Sequence, residues 1–131
     1  HGNASYVKEM LADAEKVLGT PLSQPWLIGL SGGSVGGFSI YATMQERFAG
    51  YASLAGGPTA SAISTLGPKA RILMLNSTED AMMPVAKARQ LAALLRQRVS
   101  TLSYQELTGD HFFLLSQRDA VFASLRKFMG L

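Results

Sequence analysis

Apolar residues recur along the chain in two patterns that alternate from one segment to the next. Apolar positions at i, i+3, i+4 and i+7 indicate amphipathic helices. Short, almost wholly apolar runs indicate strands buried within a sheet. The patterns predict helices over 4–18, 33–46, 84–98 and 117–129, strands over 26–30, 51–55, 71–76 and 101–107, and one helical turn within 59–69.

The order of these elements predicts the fold class. Strands that alternate with helices form a parallel sheet, joined by right-handed crossovers and covered by helices on both faces. We therefore predict an α/β fold with a parallel sheet of about four strands, and a single domain over residues 1–131. Ligands of such sheets bind beyond the carboxyl ends of the strands, so the residues that follow each strand are the candidates for chemistry.

Composition narrows the classes of protein and of site. Of 131 residues 47% are hydrophobic and 16% are charged, which excludes a disordered chain. The chain has no cysteine and two histidines, so we expect neither a thiolate nor a multi-histidine metal site. The net charge is +3, but no aromatic residues are interleaved with the basic residues to form a surface on which bases could stack. We therefore expect no nucleic-acid partner. No apolar run reaches the roughly 18–20 residues of a membrane span. The compartment stays open, with the cytoplasm favoured.

A serine, an acid and a histidine follow three different predicted strands. Ser31 follows the first strand, Asp80 lies beyond the third, and His111 lies beyond the fourth. A serine hydroxyl is a poor nucleophile at neutral pH, so a histidine must take its proton while a carboxylate orients the imidazole. These three residues, gathered at one edge of a sheet, predict nucleophilic acyl transfer.

The position of the nucleophile has two solutions, because two Gly-x-Ser-x-Gly patterns overlap in residues 29–36. The apolar strand ends at Leu30, which favours Ser31 at the sharp turn from strand to helix. Ser34 stays as the alternative nucleophile. The backbone N–H that follows the nucleophile would bind the oxyanion, which is Gly32 for the first solution and Val35 for the second.

Three segments of the chain resemble the α/β-hydrolase family, in particular its small serine esterases and thioesterases. They are residues 29–33, residues 75–80 with Pro84 behind them, and residues 108–113. The resemblance covers about residues 5–131 and corresponds to the C-terminal half of the family's core. It implies hydrolysis of small acyl esters or thioesters without a cofactor. Residues 56–69 are too few for the lid domain that many members of the family insert there, so we expect an open site. It also favours Asp80 over the adjacent Glu79 as the acid, because Asp80 stands four residues before Pro84.

The resemblance also implies a shortened sheet. The strand at about 26–30 lies mid-sheet in the family but would be an apolar edge here, so we predict that it pairs with a second copy or with a partner segment. His1-Gly2-Asn3 is similar to the start of the family loop that gives the second oxyanion donor, which makes Asn3 a candidate. A chance match, with the donor from another chain, is the alternative.

Two other functions compete with the hydrolase. One is a non-catalytic half-hydrolase that serves as an interaction domain or as a subunit needing a partner segment. The other is a nucleotide-binding α/β domain that uses the glycine-rich turn for phosphate. The chain lacks the phosphate-binding motifs Gly-x-Gly-x-x-Gly and Gly-Lys-Ser/Thr, which disfavours the nucleotide-binding hypothesis.

Overall fold

The computed structural model describes residues 2–131, which form four strands and six α-helices. The strands are β1 (Trp26–Leu30), β2 (Gly50–Leu54), β3 (Arg71–Ser77) and β4 (Thr101–Leu107). The helices are α1 (Gly2–Leu18), α2 (Gly32–Thr43), α3 (Ala60–Thr65), α4 (Val85–Arg96), α5 (Phe113–Ser116) and α6 (Arg118–Met129). All neighbouring strands pair in parallel, in the order β1-β2-β3-β4. The predicted α/β class is confirmed.

The sheet lies between two layers of helices. One hydrophobic cluster joins its first face to α1 through α4, and Phe38, Tyr41 and Leu95 belong to it. A second cluster joins the other face to α5 and α6 through Phe113 and Val121. The two middle strands are buried on both faces, which explains their nearly unbroken apolar sequences. The edge strand β4 instead alternates polar and apolar residues.

The register of the sheet brings the carboxyl ends of its strands to one edge. Leu30 at the end of β1 pairs with Leu54 at the end of β2, and Ser77 at the end of β3 pairs with Leu107 at the end of β4. Leu54 pairs in turn with Leu75 of β3. The segments that follow β1, β3 and β4 therefore leave the sheet side by side.

The helix boundaries differ from the predicted ones where the backbone leaves helical geometry early. Helix α1 begins at Gly2, so Asn3 lies in its first turn, while His1 lies outside the described residues. The helix predicted over 33–46 ends at Thr43 because Met44 adopts φ −137° and ψ 42°. A 3₁₀ turn follows it. The predicted last helix is preceded by the separate short helix α5.

The strand boundaries agree with the prediction to within one residue. Strands β1 and β4 have the predicted limits, whereas β2 begins and ends one residue earlier because Ala55 turns out of the strand with φ 56°. The predicted helical turn in the third connection is α3. The Thr59 hydroxyl caps this helix by accepting the N–H of Ala62 at 3.1 Å.

The free edge of β1 is apolar. β1 is the terminal strand of the sheet, and Ile28 and Leu30, which share one face of it, keep 46% and 44% of their residue surface exposed. A parallel strand of this composition normally has both faces and both edges covered. The predicted edge position of β1 is thus observed, in a four-stranded sheet. Within residues 2–131 no helix is both long and apolar enough to cross a membrane.

Candidate active site

Ser31 occupies a strained turn between β1 and α2. Its backbone has φ 55° and ψ −121°, a combination that residues other than glycine rarely adopt. The Ser31 N–H donates to Leu54 O at 2.8 Å, and Ser31 O accepts the N–H of Ser34 at 2.9 Å. The strand and the helix are therefore tied to the serine from both sides, which holds its hydroxyl at the edge of the sheet.

Small residues allow this turn. A Cβ at position 29 would lie 2.6 Å from Gly33 O and 2.6 Å from the Tyr51 hydroxyl, distances that real Cβ atoms essentially never show. Glycine at 29 therefore lets β1 and the start of α2 approach closely. Gly37 is just as confined, because a Cβ there would lie 2.5 Å from the same hydroxyl.

The three predicted site residues lie in one hydrogen-bonded chain. Ser31 Oγ is 2.7 Å from His111 Nε2, and His111 Nδ1 is 2.7 Å from Asp80 Oδ2. An ionised carboxylate only accepts hydrogen bonds, so the proton of a neutral imidazole lies on Nδ1 and Nε2 faces the serine hydroxyl as an acceptor. The imidazole side chain keeps 11% of its surface exposed and the Asp80 carboxylate none.

The Asp80 carboxylate is held ionised by its surroundings. Burial by itself raises the pKa of Asp80, but the N–H of Met83, the His111 imidazole and the N–H of Met82 outweigh it, so the pKa is lowered. The two N–H groups donate to Oδ1 at 2.9 and 2.8 Å, which leaves Oδ2 for the histidine. The carboxylate can thus orient His111 and stabilise its protonated form.

Glu79 and Asp110, the acids next to Asp80 and His111, take other parts. The Glu79 N–H donates to Gly109 O at 2.9 Å, and its side chain is not the one that contacts His111. Asp110 accepts the N–H of Phe112 on Oδ1 at 2.8 Å, which makes it a turn residue. Within residues 2–131 Asp80 is the acid bonded to the imidazole.

Gly32, the residue after Ser31, is the first residue of α2. Across the described part of the chain its N–H has no hydrogen-bond partner, as is usual in the first turn of a helix. It can therefore donate to an oxyanion formed at Ser31, where the positive end of the α2 dipole adds to the field. Asn3 lies in α1, and no hydrogen bond among residues 2–131 joins it to Ser31 or Gly32.

Ser34, the alternative nucleophile, is fully buried one turn into α2. Its Oγ lies 2.5 Å from Ser53 Oγ, and its carbonyl accepts the Tyr51 hydroxyl at 2.7 Å. Burial of the phenol raises the pKa of Tyr51. The tyrosine is therefore a neutral donor. Sequence reasoning missed Tyr51 and Ser53 because both fit an ordinary buried strand.

Other features do not contribute to this site. A surface cavity of about 600 Å³ lies among Gln24, Ala49 and Arg71, residues at or just before the amino ends of three strands. It is therefore at the opposite edge of the sheet from Ser31. Within the described chain no three histidine or acidic side chains are grouped as a metal site would require.

No protein-family model and no curated protein sequence matches this chain. Its structure is similar to an esterase of Pyrococcus furiosus, with a TM-score of 0.78 and 8% identity over 99% of this chain and 62% of that one. A predicted CIB-like hydrolase of Thermoplasma acidophilum gives 0.73 and 16%, over 96% and 59%. An α/β serine hydrolase homologue of Coxiella burnetii gives 0.71 and 21%, over 95% and 59%.

The chain has the fold of part of the α/β-hydrolase core. It spans about 60% of the length of these solved structures. Sequence identities of 8–21% establish the likeness of the fold alone.

Proposed function

We propose that this chain is a serine hydrolase that cleaves small esters or thioesters through an acyl-enzyme, with Ser31 as nucleophile, His111 as base and Asp80 as the orienting acid. The observation that carries the proposal is the pair of 2.7 Å contacts that joins the three side chains. The likeness to esterase structures supports the same reaction class. Ester cleavage needs no cofactor, since the three side chains and a water molecule supply every group.

Acylation begins when Ser31 Oγ attacks the carbonyl carbon and passes its proton to His111 Nε2. The negative charge that forms on the carbonyl oxygen is stabilised by the Gly32 N–H. The bond to the alcohol or thiol then breaks, and the leaving group takes the proton from His111. In the second half His111 removes a proton from water, the hydroxide attacks the acyl-enzyme, and Ser31 recovers its proton as the acid leaves.

Ser31 fits the role of nucleophile better than Ser34 for two reasons. Its hydroxyl contacts the imidazole, whereas the Ser34 hydroxyl contacts Ser53 and is fully buried. The backbone at Ser31 also has the strained geometry of a nucleophile on a strand-to-helix turn. Ser34 then serves to join α2 to β2 behind the turn.

The surroundings of the site favour an accessible ester with an apolar group. Met82 lies two residues after Asp80 and Phe112 directly follows His111, and 70% and 62% of their surfaces are exposed. The Phe112 ring lies edge-to-face against the imidazole, with 5.6 Å between the ring centres. The connection between β2 and β3 is short, so no lid inserted there covers the serine.

We further propose that the free edge of β1 is paired in the active protein, by a second copy or by a partner segment. The carboxyl ends of parallel strands lie on the same side of a sheet. The loop after a strand paired in parallel with β1 would therefore lie beside Ser31 and could supply the second oxyanion donor. Gel filtration should show association that Ile28→Lys reduces, because a charge on an apolar edge disfavours pairing. A monomer with one well-dispersed fold would contradict this pairing.

The alternative function is a non-catalytic half-hydrolase that acts as an interaction domain or subunit. It is favoured by the part of the solved hydrolases that this chain does not span and by the exposed apolar edge. Under either function we propose that residues 1–131 act as one shortened domain.

Fluorophosphonate labelling separates these functions. The reagent is expected to leave one adduct on the peptide that holds Ser31, detected by intact mass and peptide mapping. The adduct should be lost in Ser31→Ala, slowed in His111→Ala, and retained in Ser34→Ala and in the control Ser39→Ala, an exposed serine of the same helix. An adduct on Ser34 would transfer the nucleophile to that residue. A folded chain that takes no label would favour the non-catalytic subunit.

A further inference from the structure

The loop that carries His111 has an uncommon backbone. It follows β4 and must place one imidazole 2.7 Å from two partners on two other segments. Gly109 in this loop has φ 132°, a value that residues other than glycine rarely adopt. From the side of α6, the Gln117 amide donates to Thr108 O. The loop therefore depends on specific contacts for its shape.

On the other side of the loop, the end of β3 forms three successive hydrogen bonds to it. The N–H of Thr78 donates to Leu107 O at 2.9 Å, and the N–H of Glu79 donates to Gly109 O at 2.9 Å. The Ser77 hydroxyl donates to Asp110 O at 2.7 Å. The first two bonds use main-chain donors that any residue supplies. The third needs a hydroxyl, and Ser77 is fully buried.

From this geometry we infer that Ser77 is a positioning residue for His111. Its hydroxyl holds the carbonyl of Asp110, the residue directly before the histidine. Ser77 also lies three residues before Asp80, so one short segment carries the acid and fixes the base beside it. Ser77 contacts neither Ser31 nor His111 by a hydrogen bond among the described residues, and it acts only through the backbone at Asp110.

Removing the hydroxyl should loosen the imidazole without removing any group that reacts. Asp110 O would keep its bond from the N–H of Phe113, which is longer at 3.3 Å. Because a displacement of about 1 Å in a catalytic contact lowers a rate by up to about a hundredfold, we expect Ser77→Ala to lower kcat about tenfold. KM should stay within about twofold, because the site through which substrate binds is unchanged.

The test compares Ser77→Ala with Ser100→Ala. Ser100 is the control for loss of a serine hydroxyl: it is exposed where Ser77 is buried, but its hydroxyl also donates to a distant carbonyl, Pro68 O at 2.8 Å, at the amino end of β4. The first measurement is the rate of fluorophosphonate labelling at Ser31 together with kcat and KM for a small nitrophenyl ester. The second is the downfield NMR resonance of the His111 Nδ1 proton, which reports its bond to Asp80 without turnover.

We expect slow labelling and a broadened or shifted resonance in Ser77→Ala, wild-type behaviour in Ser100→Ala, and recovery in Ser77→Thr, which keeps a hydroxyl. The inference rests on the proposed function, but the two can fail separately. A wild-type chain that never labels defeats the hydrolase, while the resonance still tests Ser77. Equal resonances in Ser77→Ala and wild type overturn the positioning role. So does a Ser77→Ala chain that does not fold, or a folded Ser77→Thr chain no faster than Ser77→Ala.

Discussion

The strained backbone of Ser31 can be tested by a stability measurement that needs no enzymatic activity. Ser31→Ala and Ser31→Gly both delete the hydroxyl and its contact with His111, so the two variants differ only in the Cβ. At φ 55° and ψ −121° a Cβ is unfavourable, and glycine relieves it. The turn predicts that the glycine variant is the more stable of the two, the reverse of the usual order.

The size of the difference follows from two opposing terms. Holding a residue other than glycine in a sparsely populated region costs about 1–3 kcal/mol. Glycine loses more conformational freedom on folding, which costs about 0.5–1 kcal/mol relative to alanine. Ser31→Gly should therefore exceed Ser31→Ala in free energy of unfolding by about 1 kcal/mol, with about 0 and 2.5 kcal/mol as the limits of the two ranges.

Ser39 provides the matched control, because it is an exposed serine within α2. There Ser39→Gly should be less stable than Ser39→Ala by about 1 kcal/mol, the ordinary helix propensity difference. Urea unfolding followed by the fluorescence of Trp26, the single tryptophan, measures all four variants. If the Ser31 pair has the same sign as the Ser39 pair, the backbone at Ser31 is not strained.

Three further predictions concern the acid and the glycines of the turn. Asp80→Asn should lower kcat about 10⁴-fold in an ester assay, because an amide favours the wrong tautomer of His111. Because folding lowers the pKa of Asp80, its ionisation stabilises the fold at pH values above the ordinary pKa of 3.8. This contribution to stability is lost as the pH falls through the lowered pKa. The free energy of unfolding, measured as the pH is lowered, should therefore fall less in Asp80→Asn than in the wild type. Gly29→Ala should destabilise the chain in a thermal melt, since its Cβ meets Gly33 O and the Tyr51 hydroxyl, whereas Gly36→Ala has open space and should stabilise by up to about 1 kcal/mol.

The strands of the fold were predictable because each carries a local signal. The run from Trp26 to Leu30 is apolar without interruption, and the next residues are small, so both the strand and its end can be located from sequence. The early end of α2 had no such signal, since Met44 is a good helix former. It leaves the helix through its own backbone geometry and is almost fully buried, which is a tertiary effect.

The residues of the site were predictable where chemistry demands a particular side chain. A serine, an acid and a histidine after three strands stand out in the sequence, and His111 does lie within hydrogen-bond distance of both Ser31 and Asp80. The groups that hold them gave no signal. Tyr51 looks like any apolar residue of a buried strand, yet its hydroxyl bonds the α2 backbone at Ser34. Its part depends on which strand and helix meet, which spacing along the chain does not reveal.

The exposed edge of β1 and the single oxyanion donor of the proposed site, the Gly32 N–H, are two aspects of one feature. Ile28 and Leu30 lie on β1, whose unpaired edge is also the side of the sheet on which a further strand would end beside Ser31. A strand paired there would bury apolar surface and bring an N–H to face Gly32. Loss of one oxyanion donor lowers a rate about 10²- to 10³-fold. If Ser31, His111 and Asp80 act as proposed, they can be assembled in a chain that turns over slowly, and we expect pairing at β1 to raise its stability and its rate together.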